Sequence, residues 1–214
     1  MGRRMKRNFL AVAGLASLVV ALTACAGNGA NRDAAGMSEP EVAALSFGEQ
    51  YQALGERYER MHELIAGIQL QVSEEEWDIH DSGMMRGGDY GVNSIPGATS
   101  ENSYFLSTVR SLTRDEFAGE AADLGPVIRY YENKNYDFEV LDDESGGRIS
   151  ARALTDDGWR LEYVVQKNGQ YSARVMSGTY WGPFPELLDA WMSRIADNGP
   201  DSGVPGVAVP FPSL

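Results

Sequence analysis

Residues 136–181 read YDFEVLDDESGGRISARALTDDGWRLEYVVQKNGQYSARVMSGTYW, and their alternation of apolar and polar positions decides the fold. Four alternating runs are separated by turn residues, the signature of consecutive antiparallel strands. Asp156-Asp157-Gly158 and Lys167-Asn168-Gly169 each end in glycine, as a three-residue hairpin loop with a left-handed third position requires. The first loop sets Thr155 opposite Trp159, Ala153 opposite Leu161, Ala151 opposite Tyr163 and Ile149 opposite Val165. The second sets Val165 opposite Tyr171, Tyr163 opposite Ala173 and Leu161 opposite Val175. A four-residue loop Asp143–Gly146 places Val140 against Ile149 and Phe138 against Ala151. One face then carries Phe138, Ala151, Tyr163 and Ala173 in a row, large beside small, and a one-residue slip would scramble it. On the opposite face Asp137, Arg152, Glu162 and Arg174 alternate in sign. Such a row is either a polar binding surface or a solvent-facing salt ladder worth roughly 0.2–1 kcal/mol per pair. The ladder is the expectation.

Working outward, Ser38-Glu39-Pro40-Glu41 and Ser46-Phe47-Gly48-Glu49 are capping-box patterns that open helices. Phe47, Tyr51, Leu54, Tyr58, Met61, Ile65 and Ile68 recur at three- and four-residue steps, one apolar face of a long amphipathic helix. His62 lies beside that stripe and is expected on the helix surface. Trp77–His80 is a short strand, and Asp81–Ser100, rich in glycine, is a loop. A second helix is expected from Thr113, with a capping box to Glu116, and Gly125-Pro126 should kink or split it. A last helix begins at Pro185 and carries Leu187, Leu188, Trp191, Met192 and Ile195.

The chain has 214 residues, 43% hydrophobic and 23% charged, within the globular range. Its formal charge of −13 argues against a nucleic-acid binder, which needs a basic footprint to neutralise phosphates. Arg3, Arg4, Lys6 and Arg7 form a positive flank before an apolar stretch from Phe9 to about Leu22, too short for a permanent span and typical of an export signal. Leu22-Thr23-Ala24-Cys25 resembles the bacterial lipobox. That resemblance implies cleavage before Cys25 and a diacylglyceryl group on its sulfur, with further acylation, as palmitate, of the new amino group. Two acyl chains suffice for stable anchoring. Residues 1–24 carry four basic groups and no acidic one, so the remainder has 14 basic and 31 acidic groups, a formal −17. The expected organisation is a signal peptide at 1–24, a lipid-anchored flexible linker at 25–39, one domain at 40–198 and a Gly/Pro-rich disordered tail at 199–214.

Chemistry is sparse. The sequence holds no GxSxG, phosphate-binding glycine loop, HExxH or EF-hand spacing. The single cysteine excludes an internal disulfide and is taken by the lipobox. On a strand, Asp78 and His80 project to the same face, and a carboxylate–imidazole pair can bind a metal or move protons. Two ligands do not complete a site, so no catalytic residue, metal or cofactor is assigned. Asp142-Asp143-Glu144 is either a weak calcium loop or a polar turn. Tyr180-Trp181-Gly182-Pro183-Phe184 is either a ligand groove or a seal at the end of the sheet.

With these residues in view, the chain resembles the LppA-type lipoproteins of mycobacteria and other actinobacteria. The shared order is the lipobox, a Tyr51-to-Arg57 helix leading to Trp77, and Thr113 to Phe117 opening a second helix. Tyr136-Asp137, the Gly158-Trp159 hairpin and a final strand running into Ser177-Gly178 follow. The resemblance covers about residues 51–181 and implies an α+β envelope domain without an established activity; mycobacterial members carry a body cysteine pair that this chain lacks. The expected fold is α+β, with N-terminal amphipathic helices on one face of a four-stranded antiparallel meander and a C-terminal helix. The expected function is a non-enzymatic, lipid-anchored interaction module on the outer face of the cell membrane, held there through Cys25 and partnered by an envelope protein or small ligand. The alternatives are an envelope hydrolase with a weak metal site near Asp78 and His80, and a lipid or small-ligand carrier.

Overall fold

The computed structural model describes residues 31–87, 95–114, 116, 118–143, 147–195, 201–207 and 210–214. Cys25 and the rest of Met1–Ala30 lie outside them, and the unit Asn31–Leu214 is the one described below. Its elements are α1 (Glu39–Ala43), α2 (Phe47–Gln69), β1 (Asp78–Arg86), β2 (Ser103–Thr113), a 3₁₀ turn (Ala121–Leu124) and α3 (Gly125–Asn133). Then come β3 (Asp137–Asp143), β4 (Arg148–Leu154), β5 (Arg160–Gln166), β6 (Gln170–Met176), β7 (Tyr180–Trp181) and α4 (Phe184–Ile195). The fold is α+β, and all strand pairs among the described residues are antiparallel.

Gly158 (φ +82°) and Gly169 (φ +79°) make the two left-handed turns, and β4, β5 and β6 fall into the register that those turns demand. Ala151 faces Tyr163 and Tyr163 faces Ala173, all three buried. The β3–β4 pairing differs from expectation: Asp143 faces Arg148, so the loop begins at Glu144, one residue later than read. Each partner moves by two, and Phe138 faces Ala153 while Val140 faces Ala151. A shift of two preserves the face, so Phe138 still points to the core side.

Among the described residues the sheet has seven strands rather than four, in the order β1-β2-β6-β5-β4-β3, with β7 also on β2. Sequence reading passed over β2, where Tyr104, Leu106, Thr108, Arg110 and Leu112 alternate on the core face with Ser107, Val109 and Ser111 on the other. An arginine in mid-row broke the apolar period. The strand expected at 77–80 exists as part of β1, which runs on to Arg86 at the sheet edge. Beyond β6 the pairing breaks at Ser177. Its Oγ accepts from Leu106 N at 2.8 Å and its N donates to Leu106 O at 2.9 Å, after which β7 pairs with Ser103–Tyr104.

The helix layout also departs from expectation. Thr113 ends β2 opposite Gln170 and opens no helix. Gly119 adopts φ +68°, and a Cβ there would collide with the Gln166 carbonyl, so helical structure begins only at Ala121. The 3₁₀ turn ends at Leu124 and passes directly into α3 at Gly125, with Pro126 in its first turn, so Gly125-Pro126 opens this helix instead of splitting one begun at Thr113. In α2 the capping box forms: Ser46 Oγ accepts from Glu49 N at 3.3 Å and Ser46 N donates to Glu49 Oε2 at 2.7 Å. Tyr51, Leu54, Tyr58, Met61, Ile65 and Ile68 are buried as the stripe required, and Leu64 joins them, while Phe47 at the helix start stays 40% exposed. Tyr180, Trp181 and Phe184 are buried and seal their end of the sheet.

Both flanks of the domain are more ordered than expected. Residues 31–37, read as linker, turn tightly around Asp33. Its Oδ1 accepts from Ala35 N and Met37 N at 2.9 Å, and its Oδ2 accepts from Trp181 N at 3.2 Å. The described residues of the tail, read as disordered, pack on α2. Gly203 O accepts from Trp77 N at 3.1 Å and from Gln69 Nε2 at 3.2 Å, and the Phe211 ring lies 4.9 Å from Tyr51 and 5.5 Å from Tyr58. Proline- and glycine-rich composition has no periodicity of its own, so the order comes from tertiary contact alone.

Candidate interaction surface

The core face of β3–β6 is closed by α2, the 3₁₀ turn and α3. The other face carries a concavity of about 770 Å³ near the β4–β5 hairpin, lined among others by Asp137, Glu139, Arg152, Leu154, Arg160 and Arg174. Two rows cross it. One runs Asp137–Leu154–Arg160–Met176 and the other Glu139–Arg152–Glu162–Arg174. Leu154 is 46% exposed in the middle of this charged surface.

The charges of the second row are not equally matched. Arg152 Nε donates to Glu162 Oε1 at 2.9 Å, and Arg148 Nη2 lies 3.9 Å from the same oxygen. Glu139 stands opposite Arg152 in register yet makes no ion pair among the described residues, and neither does Arg174 opposite Glu162. The expected row was right on Arg152, Glu162 and Arg174 and wrong on Asp137, whose place Glu139 takes because of the two-residue shift. Among the described residues the concavity therefore has a carboxylate without an ion pair at the β3 side, a closed pair in the middle and a guanidinium without an ion pair at the β6 side.

A second constellation lies on the core side and escaped the sequence reading. Arg110 projects inward from β2 with its side chain 2% exposed, and its Nη2 donates to Asp201 Oδ2. His62 of α2 completes the group, its Nδ1 3.8 Å from the same oxygen. His62 is thus not a surface residue: its ring packs on Tyr58 at 4.5 Å, and its Nε2 is buried without a partner among the described residues. Burial, reinforced by Arg110 and opposed by Asp201, pushes its pKa down to about 4, so the ring is neutral near pH 7. The group ties residue 201 to the helix–sheet interface. No local signal marks it, since 91 positions separate Arg110 from Asp201.

The candidates for chemistry are not brought together. His80 Nε2 lies 2.5 Å from Ser111 Oγ on the neighbouring strand, and Asp78 is exposed beside it. Among the described residues no three His, Cys, Asp or Glu side chains gather as a metal site would require. Asp142 and Asp143 end β3 and are exposed; Glu144 lies outside the described residues, as does Cys25. Among the described residues no helix is long and apolar enough to cross a membrane.

No protein-family model matches the sequence, and no curated protein matches it. Among solved structures, a DUF4853 family protein from Actinomyces odontolyticus is similar over 58% of this chain and 66% of that one, with a TM-score of 0.38 and 11% identity. The match spans just under two thirds of that chain, and a likeness of this degree carries no inference about activity.

Proposed function

We propose that this chain is a lipid-anchored protein of the bacterial cell envelope, held on the outer face of the cell membrane through Cys25, and that its domain works without catalysis as an interaction module. The observation that carries the module reading is the exposed face of β3–β6, where charges of both signs surround the concavity and Leu154 stays half exposed. On the core side Tyr163, Leu161, Val127 and Leu124 are buried, which favours a contact surface over an enclosed lipid or small-ligand cavity. The hydrolase alternative has no observation of its own, since His80 engages Ser111. The anchor rests on Leu22-Thr23-Ala24-Cys25 and on the resemblance to LppA-type lipoproteins.

The test combines lipid labelling with site-directed photo-crosslinking of the full chain in its own cells. Wild type should take up an alkyne-palmitate label, and Cys25→Ala should lose both the label and membrane retention. A photo-crosslinking residue in place of Arg174 should capture discrete envelope components, and one in place of the exposed Arg129 on α3 should not. Label persisting in Cys25→Ala sinks the anchor. Equal capture from both positions sinks the contact surface.

A further inference from the structure

The β3–β6 face specifies more than a generic surface, because its two unmatched charges are opposite in sign and fixed in separation. Glu139 and Arg174 stand on strands three spacings apart, about 14 Å at roughly 4.8 Å per strand. Asp137 lies two residues from Glu139 on the same face, so the negative pole has a second charge of its own sign. Between the poles Arg152 and Glu162 neutralise one another, and Leu154 offers an exposed apolar side chain. A polyanion would meet Asp137 and Glu139, and a polycation would meet Arg174. The complement of this face is dipolar.

We propose that the face docks an extended segment of a partner protein that carries a basic and an acidic residue four positions apart, in either order, with an apolar residue midway between them. An extended chain advances about 3.4 Å per residue, so positions i and i+4 are about 14 Å apart, and alternation puts i, i+2 and i+4 on one side. The basic side chain meets Glu139 and Asp137, the acidic one meets Arg174, and the central apolar one covers Leu154 and the Arg152 stem. The segment crosses the strands instead of joining the edge of the sheet. This rests on the β3–β6 face being the contact surface of the module.

The test is titration of the full chain in mild detergent with the capped peptide acetyl-Thr-Lys-Thr-Leu-Thr-Glu-Thr-amide, followed by fluorescence anisotropy of a labelled copy. Arg174→Glu should weaken binding about tenfold or more, and so should Glu139→Lys. The triple swap Asp137→Lys, Glu139→Lys and Arg174→Glu should restore it to within about threefold, because both poles are then inverted and the peptide can turn end for end on the face. Arg129→Glu on α3 serves as the charge control and should leave binding unchanged, and circular dichroism checks that every variant is folded. Absence of binding at millimolar peptide, indifference to Arg174→Glu, or failure of the triple swap to restore affinity would each overturn the proposal. So would tighter binding of polyphosphate than of the peptide. Crosslinking at residue 174 with no peptide binding removes the dipolar segment and leaves the contact surface; loss of both removes both.

Discussion

Arg152 donates to Glu162 at 2.9 Å and leaves Glu139, its partner in register on the other side, without an ion pair among the described residues. The choice is between two carboxylates that the strand pairing offers equally. Glu162 has its side chain 17% exposed and a second arginine, Arg148, 3.9 Å away, whereas Glu139 lies on the edge strand in contact with water. The better-enclosed acid gains more from a guanidinium because less solvent screens the pair.

A double-mutant cycle should resolve that preference. Coupling between Arg152 and Glu162 should be about 0.5 kcal/mol, in the range of cross-strand pairs, and coupling between Arg152 and Glu139 should fall within error of zero. Urea unfolding of the alanine variants measures both. Equal couplings would show that Arg152 is shared.

The Arg110–Asp201 pair belongs to a different regime. Asp201→Ala takes away the carboxylate that faces an almost fully buried guanidinium, and breaking a buried pair from one side costs about 3–5 kcal/mol. The chemical midpoint should fall accordingly, and protease should cut after residue 201 at concentrations that spare the wild type. Replacing both residues at once with Arg110→Met and Asp201→Leu should recover most of the loss.

His62 gives the fold a pH dependence whose sign is fixed. Its folded pKa, about 4, lies below the unfolded value of about 6.5, so the unfolded chain binds the extra proton first. The neutral ring's contribution is whole above pH 6.5 and is lost as pH falls toward 4, by up to about 3 kcal/mol. His62→Gln should flatten the stability profile between pH 6.5 and 4.5 relative to wild type. Parallel profiles would place the titration elsewhere.

Two glycines with similar backbone angles should respond very differently to alanine. Gly203 has φ +70°, and a Cβ there would collide with the Trp77 carbonyl; Gly158 has φ +82° with nothing within 4 Å. Gly158→Ala should cost about 1 kcal/mol, from the left-handed backbone alone. Gly203→Ala should cost clearly more and release the 201–214 segment, visible as faster amide exchange at Trp77.

What could be read in advance was whatever local chemistry encodes. Gly158 and Gly169 fix their turns within three residues, so β4, β5 and β6 were legible to the pair. The β3–β4 loop has two adjacent glycines, Gly146 and Gly147, and composition does not say which one closes it; Gly147 takes φ +64°. The strand β2 was missed because Arg110 occupies a core position whose countercharge comes from residue 201. Thr113-to-Glu116 has the letters of a capping box, but the sheet claims Thr113 first. Of the candidate surface, Arg152, Glu162 and Arg174 were legible from register. The mismatch that leaves Glu139 unpaired was not, since it depends on relative burial.

The carbonyl of Gly203 closes hydrogen bonds to Gln69 and Trp77, the first across 134 positions. Sequence separations of that order, together with β2 waiting for β6 before it has a neighbour on its inner side, make contact formation predominantly non-local. Loop-closure entropy must then be met before such contacts return any stability, so folding belongs with the slow, millisecond-to-second class. A chain delivered N-terminus first has α2 and the β1–β2 hairpin in place long before their last partners arrive. Until β6 emerges, the open side of β2 is an unpaired edge, and the interval before its arrival is when this protein most needs protection from aggregation.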